Sequence, residues 1–215
     1  MSEVGYNILD ARPLAARAPY TFFIPSQAEL EAVRKGDIVK LLFEYSHETE
    51  KWGAERMWVI VGAGEGEELK GILDNDPYEP TSQLEAGDEV AFKRHDILAI
   101  DWKDPEHSPP PANYREFWER CLVDQCVLDG DEPVEYLYRE EPNMAAADDK
   151  YPDSGWRIRG RVGSATDNEI DDRKAAYVAL GLVLNRDDSW LGWIDAPLGT
   201  SLMRDFDSNT YILQS

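Results

Sequence analysis

The chain has two cysteines and three histidines in 215 residues. Cys121 and Cys126 stand five apart in a helix-like pattern, which at 100° per residue turns their side chains about 140° apart. A mutual disulfide is not expected, and both read as buried thiols. His47, His95 and His107 are scattered, and with the cysteines they form no zinc-ligand spacing. No apolar run reaches the roughly 20 residues of a membrane helix. The opening MSEVGYNILDARPLAARAPYTFFIPS has no basic segment followed by an apolar core, so a cytoplasmic location is expected. Basic residues are scarce as well: 22 Lys and Arg face 43 Asp and Glu, a formal charge of −21. Such a surface repels nucleic acid and anionic membranes, and it attracts basic partners at rates that fall with salt.

What is present suffices for a core. Hydrophobic residues make up 42% and aromatics 11%, which argues for a globular chain, and its length suits two small domains. Ser26 and Glu29 have capping-box spacing and Gly36 sits at a stop position, predicting a helix over about 27–35. DIVKLLFEY, RMWVIVGAG, LKGIL, DEVAFK and HDILAIDW are short β-rich runs separated by turn signals. KDPEHSPPPAN, with three consecutive prolines, reads as a linker over 103–112. After it, Asn113 caps an expected helix in which Tyr114, Phe117, Trp118, Cys121 and Leu122 form one apolar stripe.

PVEYLYRE and WRIRGRV alternate as strands. In the second, Trp156 and Ile158 share one side, while Arg157, Arg159 and Arg161 face out or meet an acidic neighbour; Pro152 and Gly155 read as a turn ahead of it. AAYVALGLVLN suits a short helix or a mixed segment. Ser189 or Asp188 caps a turn carrying Trp190, Leu191 and Trp193, and MRDFDSNTYIL closes as a strand. The expected fold class is α+β: two small domains, 1–102 and 113–215, each a mostly antiparallel sheet with one or two packed helices.

Catalytic chemistry is thin. VGAGEGEE is followed by no Lys-Ser/Thr, and Glu65, Glu67 and Glu68 would repel phosphates. No G-x-S-x-G occurs. His95 and Asp96 are adjacent, but neighbours on a strand point to opposite faces, so His95 reads as structural. DNEIDD, over 167–172, lacks the glycine and distal glutamate of an EF-hand loop. Asp148, Asp149 and Asp153 could gather a divalent metal for a hydrolase, against the solvated-face reading of a charge run. No catalytic residue, cofactor or metal ligand is assigned, and the chain reads as non-enzymatic. Its acidity is concentrated: residues 129 to 149 hold Asp129, Asp131, Glu132, Glu135, Glu140, Glu141, Asp148 and Asp149 against Arg139.

Tyr138, Arg139, Glu140 and Pro142, then Asp153, Ser154, Gly155 and Trp156, then Ala196, Pro197, Gly199 and Phe206 carry a resemblance. Residues 134 to 206 resemble the immunity-protein thirty-three type domain, a bacterial domain grouped with immunity proteins. One stretch departs from it: after DSGW the family continues into a glycine-acidic run, where this chain has RGRVGSATDNEIDD. Gly36, Asp37, Val39 and Lys40, then Glu55 to Val59, then Gly71, Leu73, Asn75 and Pro77, then Gly87, Asp88 and Val90 make residues 36 to 102 similar to the YegJ-like domain of unknown function.

The first resemblance implies a bacterial immunity protein of a polymorphic toxin system. It would hold a cognate toxin, a basic one such as a nuclease, by direct protein-protein binding, as a monomer or weak homo-oligomer. On that implication the eight acidic residues, with Asp153 and Trp156 of the DSGW turn, form the partner-facing surface; the general burial of tryptophan assigns Trp156 to the core instead. The competing class is a housekeeping or regulatory module that binds a small ligand or an endogenous partner.

Overall fold

The computed structural model describes residues 5–144 and 148–214. Residues 145–147 of the acidic run lie outside that description, as do the side chains of Glu65 and Asp171. The chain divides into two compact units, Met1–Arg17 with Phe22–Tyr114, and Ala18–Thr21 with Arg115–Ser215. Both are α+β, built on mostly antiparallel sheets with a few short helices.

In the first unit the elements run β1 (Tyr6–Ile8), α1 (Arg12–Arg17), α2 (Gln27–Ala32), β2 (Ile38–Tyr45), β3 (Ala54–Glu65), β4 (Glu68–Leu73), β5 (Glu89–Lys93) and β6 (Ala99–Asp101). The α2 start is local chemistry: the Ser26 hydroxyl accepts the Glu29 amide, and the Glu29 carboxylate accepts the Ser26 amide at 2.8 Å. The helix ends at Ala32, earlier than expected, and Gly36 then takes a left-handed φ of 96°. Strands β1 to β5 are neighbours in order, with β6 also on β2, all antiparallel. Alternation selects the buried face: Val39, Leu41 and Phe43 of β2 meet Met57, Val59 and Val61 of β3 and Leu69 and Leu73 of β4. α2 covers them with Leu30, and Val33 follows it into the core.

HDILAIDW is not one strand. Arg94–Asp96 form a single 3-10 turn between β5 and β6, so the opposite-faces reading of His95 and Asp96 does not hold. His95 Nε2 lies 3.6 Å from Asp96 Oδ1, because a tight turn, unlike a strand, sets successive side chains on neighbouring faces.

The second unit contains β7 (Arg120–Asp124), α3 (Gln125–Asp129), β8 (Val134–Arg139), β9 (Asp153–Gly160), α4 (Asp167–Asp171), β10 (Ala175–Ala179), α5 (Leu180–Leu184), β11 (Ser201–Asp205) and β12 (Thr210–Leu213). The order across the sheet is β10-β7-β9-β8-β11-β12. β7 and β9 run parallel and the other neighbours antiparallel. Ala18–Thr21 belong here: the Tyr20 amide donates to Asn185 Oδ1 at 3.0 Å, and the Tyr20 hydroxyl to Asp188 Oδ2 at 2.7 Å.

The helix expected after Asn113 is absent. Residues 111–118 carry no regular structure and 120–124 are β7, whose Cys121 and Val123 point into the core. The run satisfies both periodicities locally, and pairing on both edges with β9 and β10 decides for the strand. The helical angle between the cysteines lapses with it: Cys121 is buried on β7, Cys126 is half-buried on α3, and both are free. AAYVALGLVLN is mixed, β10 followed by α5. The closing segment is a hairpin, β11 and β12, with Asn209 at φ 54° in its turn.

Trp156 and Trp190, each fully buried, meet edge-to-face at 5.6 Å in the centre of this core. Both indole N–H groups are satisfied, by the carbonyls of Ile194 at 3.1 Å and Asp187 at 3.0 Å.

Candidate partner-binding cleft

The three motif segments of the second unit converge on one place. Arg139, at the end of β8, is opposite Trp156 in the β8–β9 register. Its Nε donates to the Ser154 carbonyl at 3.0 Å and its Nη1 to the Ala196 carbonyl at 2.6 Å. Its own backbone exchanges bonds with the third segment, accepting from Gly199 N at 2.7 Å and donating to Thr200 O at 2.8 Å. The guanidinium carbon stands 5.7 Å from the Trp156 ring centroid. One side chain thus ties together Tyr138 to Pro142, DSGW and Ala196 to Gly199.

DSGW is not a turn before a strand; it is the start of β9. Gly155 keeps the left-handed φ of 81° within it, and a Cβ there would overlap the Glu140 carbonyl oxygen. The same approach lets the Glu140 amide donate to the Gly155 carbonyl at 3.0 Å. Only glycine suits that position.

Beneath the loop that follows β8 lies Arg157, its side chain 3% exposed. Nε donates to Glu140 Oε1 at 2.7 Å. Nη1 reaches Asp153 Oδ1 at 3.0 Å and the Trp156 carbonyl at 3.1 Å, while Nη2 reaches Asp153 Oδ2 at 2.9 Å and Asn143 Oδ1 at 3.0 Å. Every N–H of the guanidinium is used. Asp153 also accepts the amides of Gly155, Asn143 and Met144 at 2.9, 3.1 and 3.2 Å. The pair therefore fixes residues 140–144 on the sheet.

Burial alone would raise the Asp153 pKa, but the Arg157 bonds and the three backbone amides outweigh it and hold the carboxyl down at about 2. Because the folded value lies below the ordinary 3.8, the stabilisation is full above that pH and is lost as pH falls from 3.8 through about 2. Denaturation midpoints of the native chain and of Asp153→Asn should accordingly differ at neutral pH and approach each other across that acid window.

A cleft of 510 Å³ opens against these residues, lined by Tyr136, Tyr138, Arg139, Glu140, Glu141 and the 198–201 segment. The Tyr136 and Tyr138 rings stand 5.7 Å apart, and the Tyr136 hydroxyl bonds Ser201 Oγ at 2.8 Å. Phenol faces beside two carboxylates suit a guanidinium or ammonium group. The first unit has a cleft of its own, 420 Å³, where Lys51, Arg56 and Glu55 line a wall of mixed sign beside Trp52 and Tyr78.

The expected surface residues separate. Asp129, Asp131, Glu141, Asp148 and Asp149 are exposed; Glu132, Glu135 and Glu140 are half-buried. Glu135 accepts the Val162 amide at 2.7 Å and Glu140 is anchored by Arg157. Asp153 and Trp156, at 4% and 0% exposure, are interior and leave the surface set. Asp153 also leaves the suggested metal group with Asp148 and Asp149, since Arg157 and three amides occupy its oxygens. Sequence reasoning missed Arg157 as a hub, although an arginine four residues after an aspartate in an alternating run was its available signal. It also missed Asp124, 2% exposed, which accepts Arg159 Nε and the Gly160 amide, each at 3.1 Å.

No helix among the described residues is long and apolar enough to cross a membrane. No curated protein matches the chain, and no solved structure does. Residues 13–108 match the family described as "Uncharacterized protein conserved in bacteria (DUF2314)". Residues 121–214, which hold the cleft and the Arg157 hub, match the family described as "Immunity protein Imm33 domain", so the chain carries a region similar to DUF2314 followed by one similar to the Imm33 immunity protein domain.

Proposed function

We propose that this protein is a cytoplasmic immunity protein that neutralises a cognate basic toxin by direct, non-catalytic binding through its second unit. The observation that carries the reading is the Imm33 match over 121–214, the region that holds the cleft. The charge supports it: a chain at −21 accelerates capture of a cationic protein. The cleft supplies what a slow release needs, two tyrosine rings and the Glu140 and Glu141 carboxylates on a loop held from below by Arg157. Arginine or lysine side chains of the toxin are the groups that fit it.

The test is capture on the tagged chain from its native cytoplasm, at low and high salt, with recovered proteins identified by mass spectrometry. A single stoichiometric, basic protein that is toxic when produced alone, and that is recovered less well at high salt, is expected. Recovery of housekeeping proteins alone would move the assignment to a regulatory binding module.

A further inference from the structure

The sheet of the second unit ends in an open strand. β12 is last in the order and, among the described residues, pairs only with β11. The Gln214 amide donates to the Ser201 carbonyl at 2.8 Å, and the alternation of an antiparallel ladder then turns the N–H and C=O groups of Ile212 toward β11 and those of Tyr211 and Leu213 to the open side. Aliphatic side chains stand exposed on both faces of this strand. Ile212, 53% exposed, lies on the outer face beside Met203, and Leu213, 59% exposed, lies on the core face beside the fully buried Leu202. A partner resting on either face would cover one of them; a strand added at the edge covers both. Sheet edges are ordinarily protected by charge, and β5, at the end of the first sheet, carries Glu89 and Lys93. The opposite edge of the second sheet, β10, exposes no large apolar side chain. Residues 208–214, SNTYILQ, have no charge at all in a chain that is 30% charged.

We propose that β12 pairs with β12 of a second copy of this chain, antiparallel and about a two-fold axis, joining the two sheets into one. Charge favours a second copy as the occupant. A cationic strand would set its charges against aliphatic side chains with no acidic partner, whereas two chains at −21 meet at least cost where neither carries charge. The strand also fixes its own register. With Ile212 on the axis, Tyr211 of each copy faces Leu213 of the other, and these are the residues whose backbone groups open outward, so the ladder continues across the axis. Each Leu213 is then covered on the core face and each Ile212 on the outer face. Tyr136, Met203 and Ile212 form a row in register from β8 through β11 to β12, and the row runs on into the second copy. Five strand spacings, roughly 24 Å, separate the two Tyr136 positions on one face. On the immunity reading the dimer presents two toxin clefts side by side, but the pairing itself does not depend on that reading.

The test is sedimentation equilibrium of the full chain alone, from micromolar to millimolar concentration, at low and high salt. The mass of the native chain should rise with concentration from 24.4 kDa to that of two chains. The dimer should gain with salt, as repulsion between like-charged copies is screened, the reverse of toxin capture. Ile212→Lys, at an exposed position, sets like charges together on the axis and should weaken the dimer at least about tenfold. Ile212→Cys should cross-link into dimers under mild oxidation, because directly opposed, non-hydrogen-bonded residues have Cα atoms about 4.5 Å apart. Thr210→Cys and the native chain, whose Cys121 is buried and Cys126 half-buried, should not. The mass of one chain at every concentration overturns the proposal, as does a dimer that Ile212→Lys leaves intact or that Ile212→Cys fails to cross-link. A chain that is monomeric alone but loses its toxin on Ile212→Lys would give the edge to a toxin strand, and that too overturns the pairing. Self-association with no toxin captured would count against the immunity reading and leave the pairing standing.

Discussion

Arg157→Ala is expected to lower the stability of the second unit by about 3–5 kcal/mol, the range for removing one partner of a buried ion pair. The side chain is 3% exposed and that of Asp153 is fully buried, so water cannot replace the lost bonds without opening the loop. Two carboxylates, Asp153 and Glu140, lose their shared cation at once. Asn143 loses the Arg157 bond to its side chain, so the 140–144 loop loosens and the cleft wall with it. Chemical denaturation followed by near-ultraviolet circular dichroism, to which the buried Trp156 and Trp190 contribute, reads the change. Asp153→Asn should cost less, because the amide oxygen still accepts backbone donors. A loss below about 1 kcal/mol for Arg157→Ala, the value of an exposed pair, would mean that the hub is solvated in solution.

Reversing Asp129, Asp131, Glu141, Asp148 and Asp149 to lysine is expected to slow association with the toxin about 10- to 1,000-fold at low salt, the range over which long-range steering acts. All five are exposed, and single surface changes of this kind leave stability within about 0.5 kcal/mol. Glu140 is left out of the set because Arg157 depends on it. The rate of the native chain should fall steeply with ionic strength, and that of the reversed chain less steeply, because five reversals of two charges each take the formal charge from −21 only to −11. Stopped-flow association with the captured partner measures both, and an unchanged rate would remove the acidic run from the interface.

What could be read in the sequence follows the range of the forces involved. Ser26 and Glu29 act across one helical turn, so α2 was legible from four residues. The alternation of β2 to β5 marked a buried face because each strand carries its own pattern. β7 was not legible: Phe117, Cys121 and Leu122 fit a helical stripe, and only strands far along the chain decide otherwise. The resemblance picked out Arg139, DSGW and Ala196 to Gly199 as separate motifs, and their meeting point exists only in the folded chain. Arg157 was expected to face out or meet an acidic neighbour; the spacing from Asp153 signalled one partner, while Glu140 and Asn143 come from the loop after β8 and meet it only in the folded chain. His95 and Asp96 were misread for one reason, a tight turn taken for a strand.

The most direct test of the immunity reading is survival of cells that produce the captured toxin, with and without this chain. The account predicts that cells making both grow, that a stoichiometric complex is isolated from them, and that the five-lysine variant protects less well. Death of cells that hold the folded chain in excess, with the toxin recovered free, would contradict it.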